Sequence, residues 1–403
     1  MIKKIFTIFF ILTAIEFYSL TIIGQNVLKI FDIICITAAV IILIIDKIKE
    51  KLNLKEYDKK IFAKGIIIIL LSVFLSFAGA EIYHQQSLFI SFISSRFMYF
   101  YLLYFLLIIF NIKISELEKI LTGLSILYSI IYLLAMFYPN IVSANIQIDL
   151  TRDTTRVYIP GILLVILSLF NHLLKLKDEI KIKDLIYVSL FLTIVVITGT
   201  RMIIFPLLFL IIFFSFSMFK LNKPNFYIWG LTFGVVFLLI LLPIVVASYE
   251  LLLVDLQYSS GSYEIRLKAI SYFINEFFPS FLSYIIGNGF ASYHDNYGLN
   301  ILFLKENFHF YQSDIGLIGD YTKFGILYIV GVFIILFRVF KSNFIDASIY
   351  LKYFFIFIAI TCITLSHFGF PDGIVSICCG LYLLQKYSED SLTEDSEIII
   401  KYA

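Results

Sequence analysis

Apolar residues run along this chain in blocks of about 14–23 positions, separated by short polar connections. That length matches the roughly 20 residues an α-helix needs to cross a bilayer. The blocks predict about twelve spans, at 5–23, 27–45, 61–80, 88–110, 119–138, 157–174, 185–199, 203–219, 226–247, 318–337, 353–368 and 373–386. The fold class expected is therefore all-α, a polytopic membrane protein forming one membrane domain over 1–403. The longest break in the pattern lies at 249–314, between the ninth and tenth blocks. A connection of about 65 residues is too long to be structureless in a compact protein and reads as a lid or small subdomain. A shorter polar segment, 139–156, is the second prominent loop. The acidic stretch Ser388–Glu397 reads as disordered, within a terminal tail at 388–403.

Charge sets the orientation. With the N-terminus in the cytoplasm, most lysines fall in internal segments. The external segments hold Arg152, Arg156, Arg201, Arg266, Lys268 and Lys305, so the positive-inside rule holds throughout. Both termini are then cytoplasmic and both prominent loops external. The first block follows Lys3 and Lys4, but Glu16 interrupts it and no small-residue cleavage site follows, so it reads as an uncleaved span.

Composition agrees: 61% of residues are hydrophobic and only 15% charged, against about 25% charged in a typical soluble domain. A net charge of +2 carries no nucleic-acid signal. Cys35, Cys362, Cys378 and Cys379 all fall inside expected spans, and none has metal-site spacing. No metal or cofactor is expected.

Charges inside the blocks cost about 2.5–3.5 kcal/mol each at mid-bilayer. Lys64 can extend to the cytoplasmic surface. Glu16, Lys29, Asp32, Arg96, Asp320 and Lys323 all fall in the outer halves of their helices, consistent with a polar cavity opening outward. Lys29 with Asp32, and Asp320 with Lys323, are spaced to form local i,i+3 pairs. Arg96 and Glu16 have no local partner, and a ligand role and a structural role are both open for them.

Two arginines carry the candidate chemistry. Thr198-Gly199-Thr200-Arg201 joins two spans on the outer side and sets Arg201 at a helix start, where a cation opposes the dipole. A bound phosphate would be held there by both the helix N-terminus and the guanidinium; lipid headgroups are the rival partner. Tyr263–Phe278 has helical periodicity and stops at Pro279. Leu267, Ile270, Phe273, Ile274 and Phe277 form its apolar face, with Arg266 at the edge of that face and so aimed inward. Its counterpart is an anion in the cavity, Glu276, or a lipid phosphate. Further along stand Gly287-Asn288-Gly289, a tight turn or a place of close ligand approach, then His294, His309, Tyr311 and Asp314. His309 is a candidate general base, although loop histidines are commonly solvated. His84 and His172 read as structural. The tyrosines and amides of the loop suit sugar recognition, but tyrosine also populates membrane interfaces.

These motifs, in this order, resemble the O-antigen polymerase and ligase superfamily of integral-membrane glycosyltransferases, most closely the Wzy-type polymerases. The resemblance rests on Thr198–Arg201, the Arg266 helix, Pro279, Gly287-x-Gly289-Phe290, Ser313-Asp314 and the Lys323-Phe324-Gly325 run, over about 197–337. It implies a GT-C-like membrane fold and polymerisation of undecaprenyl-diphosphate-linked oligosaccharide at the periplasmic face of the bacterial inner membrane. A chain-length regulator protein is an implied partner. By the same resemblance Arg201 and Arg266 would grip the donor diphosphate, and His309 and Asp314 would serve the acceptor. Arg96, Arg152, Arg156, His294, Tyr311 and Lys323 are the further candidate substrate contacts. The sequence departs from the family in two ways. The ligases' His-Asn pair is replaced by Gln312-Ser313-Asp314, with His309 upstream, and the Arg-x10-Gly elements of some polymerases are absent because Phe277 stands ten residues beyond Arg266. A ligase acting on lipid A core and a lipid-linked oligosaccharide flippase are the alternatives. The flippase fits less well, because the intramembrane charge is confined to the outer half.

Overall fold

In a computed structural model, residues 2–50, 61–142, 146–149, 154–179, 181–218, 262–342 and 344–402 are described. The helices in chain order are α1 (Ile2–Ala14), α2 (Gln25–Glu50), α3 (Ala63–His84), α4 (Leu88–Ser94), α5 (Leu102–Phe110) and α6 (Ile114–Phe137). After a two-stranded hairpin, β1 (Ile146–Asp149) and β2 (Thr154–Val157), come α7 (Ile162–Asp178), α8 (Ile182–Ile197) and α9 (Arg201–Met218). Then follow α10 (Ser262–Asn275), α11 (Phe281–Ile286), α12 (Asn296–Phe308), α13 (Gly316–Phe324), α14 (Ile326–Lys341), α15 (Ile349–Thr361) and α16 (Pro371–Tyr402).

The all-α expectation for a membrane protein holds, with the small hairpin added inside the 139–156 loop. The span count does not carry over directly. Among the described residues three helices are long and apolar enough to cross a membrane: Asn26–Ile48, Ala63–His84 and Ile114–Phe137. A fourth exists if Leu88–Ser94 and Arg96–Phe110, bent by 56° at their junction, count as one. Several other expected spans are shorter or broken helices, and 226–247 lies outside the described residues. The run at 318–337 breaks at Gly325, between α13 and α14. The run at 5–23 ends its α-helix at Ala14, and Glu16, Phe17, Tyr18 and Ser19 follow with φ of 51°, 47°, 59° and 56°. Left-handed backbone costs an L-residue about 1–2 kcal/mol. It is held by the Tyr18 hydroxyl donating to Leu124 O (2.8 Å) and by the bridge between Leu20 and Val142. The tail expected to be disordered continues as helix instead, to Tyr402.

The main core is rich in buried tyrosine, and its phenols find hydrogen-bond partners, as burial of a hydroxyl demands. Tyr101 donates to Phe368 O (2.9 Å), Tyr382 to Ile112 O (2.6 Å) and Tyr350 to Glu118 (3.0 Å). His172 ties three helices together, meeting Asp184 at 2.6 Å and Thr122 at 3.0 Å. The four cysteines are free and buried.

The large loop has a small core of its own, built from Ala269, Phe273, Phe277, Tyr297, Ile301, Leu304 and Ile315. Burying a side chain such as Phe273 contributes about 1.5–3 kcal/mol. The helix expected over Tyr263–Phe278 is present as α10, over Ser262–Asn275. Of its expected apolar face Phe273 and Phe277 are buried and Ile270 is half-buried, while Leu267 and Ile274 are exposed and Ala269 is buried in their place.

This loop docks through backbone. Breaking the helix at Gly325 leaves carbonyls at the end of α13 without helical partners. The glycine turn supplies them: Asn288 N donates to Thr322 O (3.1 Å), Gly289 N to Lys323 O (2.8 Å), and Asn288 Nδ2 again to Thr322 O (3.2 Å). Gly287 (φ 80°, ψ 175°) and Gly325 (φ 74°, ψ −175°) both occupy backbone open essentially to glycine alone. A Cβ on either would strike the other's backbone, within 2.6 Å of Gly325 N and Gly287 N respectively. Two of the motifs that carried the family resemblance, at Gly287–Phe290 and Lys323–Gly325, are therefore two halves of one contact.

Candidate functional site

The loop core leaves a hollow of about 150 Å³ lined by Ile265, Arg266, Ala269, His309, Tyr311, Asp314 and Ile315. Four expected site residues thus share one space. Three local features bring them there. Arg266 stands one position from Ile265, which with Ala269 forms the lining stripe of α10 at i,i+4 spacing. His309 ends α12 in left-handed backbone (φ 58°), its N–H donating to Leu304 O, so the chain turns back beneath α10. Tyr311 and Asp314 follow on a 3₁₀ turn, Gln312–Ile315, whose Asp314 N–H bonds Tyr311 O at 3.2 Å.

Arg266 is half-buried, and its Nη1 donates to Met202 Sδ at 2.9 Å. Met202 is the second residue of α9, immediately after Arg201, so the loop arginine reaches the helix terminus that carries the other arginine. Arg201 opens α9 as expected from the Thr-Gly-Thr-Arg turn, with Gly199 in left-handed backbone (φ 65°) just before it. The Asp314 carboxylate accepts from Ser313 Oγ (3.1 Å), and His309 is exposed at the mouth. Lys305 Nζ lies 5.5 Å from the Tyr311 ring centre, adding a second cation beside the hollow. The ensemble offers one guanidinium, a carboxylate and an imidazole around a space smaller than the ~300–1,000 Å³ of drug-sized sites, and Arg201 is not among the residues that line it.

The remaining candidates lie elsewhere. Arg96 bonds Asp32 through Nε at 2.9 Å and stacks on Phe97 at 4.1 Å. Asp32 was expected to pair with Lys29; the tertiary partner takes it instead, because a guanidinium fork can satisfy a carboxylate that is 3% exposed. Lys323 does pair locally with Asp320 (3.3 Å), and both are buried. Asp320 also accepts from Ser366 Oγ at 2.6 Å and from the Tyr328 hydroxyl at 3.4 Å, so Lys323 belongs to a structural network. His294 is exposed, on the turn before α12, and does not line the hollow. Arg156 lies on β2 opposite Gln147, and Arg152 lies outside the described residues.

Sequence reasoning missed Met202, Lys305 and the apolar lining of Ile265, Ala269 and Ile315. The available signal was the i,i+4 pair Ile265/Ala269 flanking Arg266, which the broader stripe of Leu267, Ile270 and Ile274 outweighed. His84, expected to be structural, stacks on Tyr297 at 3.9 Å and donates from Nε2 to Asn288 Oδ1 at 3.2 Å, fastening α3 to the loop.

No family model matches this chain, and no curated protein does.

Proposed function

We propose that the protein is a glycan polymerase acting on polyprenyl-diphosphate-linked oligosaccharides at the outer face of a bacterial inner membrane, with about twelve spans and both termini in the cytoplasm. The observation that carries this reading is the shared hollow. Arg266 lines it with His309, Tyr311 and Asp314, and reaches Met202 beside Arg201.

In the reaction, a sugar hydroxyl of the acceptor attacks the anomeric carbon of the donor. The bond from that carbon to the phosphate oxygen breaks, and the diphosphate leaves with the electron pair. The hydroxyl proton passes to Asp314 or His309. Because the leaving group already carries charge, most of the catalytic demand is stabilisation of phosphate oxygens as the bond opens. The half-buried Arg266 guanidinium in the hollow, with Arg201 at the adjoining start of α9, would meet it. A base contributes less.

The test is Arg201→Ala and Arg266→Ala expressed in place of the native protein in its own cells. Each is expected to abolish long-chain surface polysaccharide, leaving single repeat units, with the protein still present in the membrane. Normal chain lengths from both variants overturn the proposal. Polymer stranded on the lipid carrier would instead point to transfer onto a final acceptor as the missing step.

A further inference from the structure

The external loop does not stay outside the membrane. Its depth can be read against α3, whose 22 residues make it one of the membrane-length helices. At 1.5 Å per residue, Ala80 and Ser76 lie about 6 and 12 Å below the outer end of that helix at His84. Ser280, at the start of α11, donates from Oγ to the Tyr83 hydroxyl at 2.6 Å. At the far end of α11 the Gly287 backbone lies against Gly79, so closely that a Cβ on Gly79 would land on its carbonyl oxygen. A Cβ on Gly289 would be 2.6 Å from Ala80 Cβ and 3.0 Å from Ser76 O. The chain then climbs back: Gln86 Nε2 donates to Phe290 O at 2.9 Å, and Ser292 N to Gln86 Oε1 at 2.8 Å. The path runs from the level of Tyr83 down to Ser76–Ala80 and back to Gln86.

Non-helical backbone at such depth persists only where protein satisfies its polar groups. Here it does. Asn288 is fully buried, its N–H and side chain bond Thr322 O, and Gly289 N bonds Lys323 O. Gly289 O accepts from the Tyr297 hydroxyl at 3.2 Å, and burial pushes that phenol's pKa up, keeping it a donor. The outer face of α11 is different. Phe281 (80% exposed), Leu282 (47%) and Ile285 (36%) project away from the protein. By depth they stand between the levels of Tyr83 and Gly79, within the length of α3, whose own exposed stripe of Ile67, Leu71, Phe74 and Ile82 lies on the side turned from α11. Acyl chains surround the helices at that depth if α3 spans, and α11 stands at the same depth.

We infer that Ser280–Phe290 is a re-entrant element dipping one to two helical turns into the outer leaflet, with Phe281, Leu282 and Ile285 seated among lipid acyl chains. The loop is thereby anchored in the membrane and is not a free lid, whatever reaction its hollow supports.

The test places a nitroxide spin label at Phe281→Cys, at Ile285→Cys and, as the aqueous reference, at Lys268→Cys in full-length protein reconstituted into lipid bilayers. The native cysteines are buried. Membrane insertion predicts that collisions with oxygen exceed those with a water-soluble nickel chelate at 281 and 285, and that the order is reversed at 268. Nickel access at 281 and 285 matching that at 268 overturns the inference, since the face is then in water. Shielding of 281 and 285 from both reagents also overturns it, since the face is then covered by another protein or a second copy.

Discussion

Replacing Gly287 by alanine tests the backbone contact on which the loop's placement depends. The substitution acts in two ways. Alanine at φ 80°, ψ 175° sits in a region costing on the order of 1–3 kcal/mol. Its Cβ would also collide with the Lys323 carbonyl oxygen and approach Gly325 N to 2.6 Å, atoms that cannot move without displacing α13. Relief requires the turn to back away, which breaks the bonds from Asn288 N to Thr322 O and Gly289 N to Lys323 O. Each contributes about 0.5–1.5 kcal/mol. Together these make roughly 2–6 kcal/mol, a large part of a typical total stability and enough to undock the loop locally. Hydrogen–deuterium exchange of the protein in lipid reads this directly. At about 3 kcal/mol, the amides of 287–290 and 322–326 should exchange roughly a hundredfold faster. Gly123→Ala is the control, because a Cβ there meets nothing within 4 Å and a helical alanine is about 1 kcal/mol better than glycine. Unchanged protection of 287–290 in the Gly287→Ala protein would refute the reasoning.

Other consequences follow from the same structure. Arg96→Ala leaves Asp32 buried without its partner and should cost about 3–5 kcal/mol, read as a lowered melting temperature; adding Asp32→Asn should restore most of it. Lys323→Met should destabilise to a similar extent, about 3–5 kcal/mol, and be relieved by Asp320→Asn, whereas a substrate contact would lose activity with stability intact. Arg266→Lys keeps the charge but loses the planar fork, and should lower the polymerisation rate about a hundredfold at unchanged protein level. His309→Ala should reduce the same rate less than Arg266→Ala does, since the diphosphate departs without needing a proton.

Local patterns were readable in the sequence, and distant partners were not. The Asp320–Lys323 pair was visible because both residues lie on one helix turn. The Asp32–Arg96 pair was not, because its members lie on different helices and the nearer Lys29 offered a plausible local answer. Apolar blocks marked membrane helices but not where they break, since a helix interrupted at Ser95 or Gly325 keeps the same hydropathy as an unbroken one. The glycines of 287–289 signalled unusual backbone; that their partner is the end of α13 depends on packing between separate segments. Arg266, by contrast, was placed at the inner edge of its helix from periodicity alone. It lines the hollow although Leu267 and Ile274 are exposed, because Phe273 of the expected face is buried and Ala269 joins it on the same side.

The most direct measurement is turnover by the purified protein in lipid, supplied with a synthetic polyprenyl-diphosphate-linked repeat unit and read as product length. The wild-type protein is expected to build a ladder of longer chains and release polyprenyl diphosphate. The folded Arg201→Ala and Arg266→Ala proteins should leave the single unit unchanged. A wild-type protein that releases no polyprenyl diphosphate, or variants that extend the chain as fast as wild type, would contradict the account.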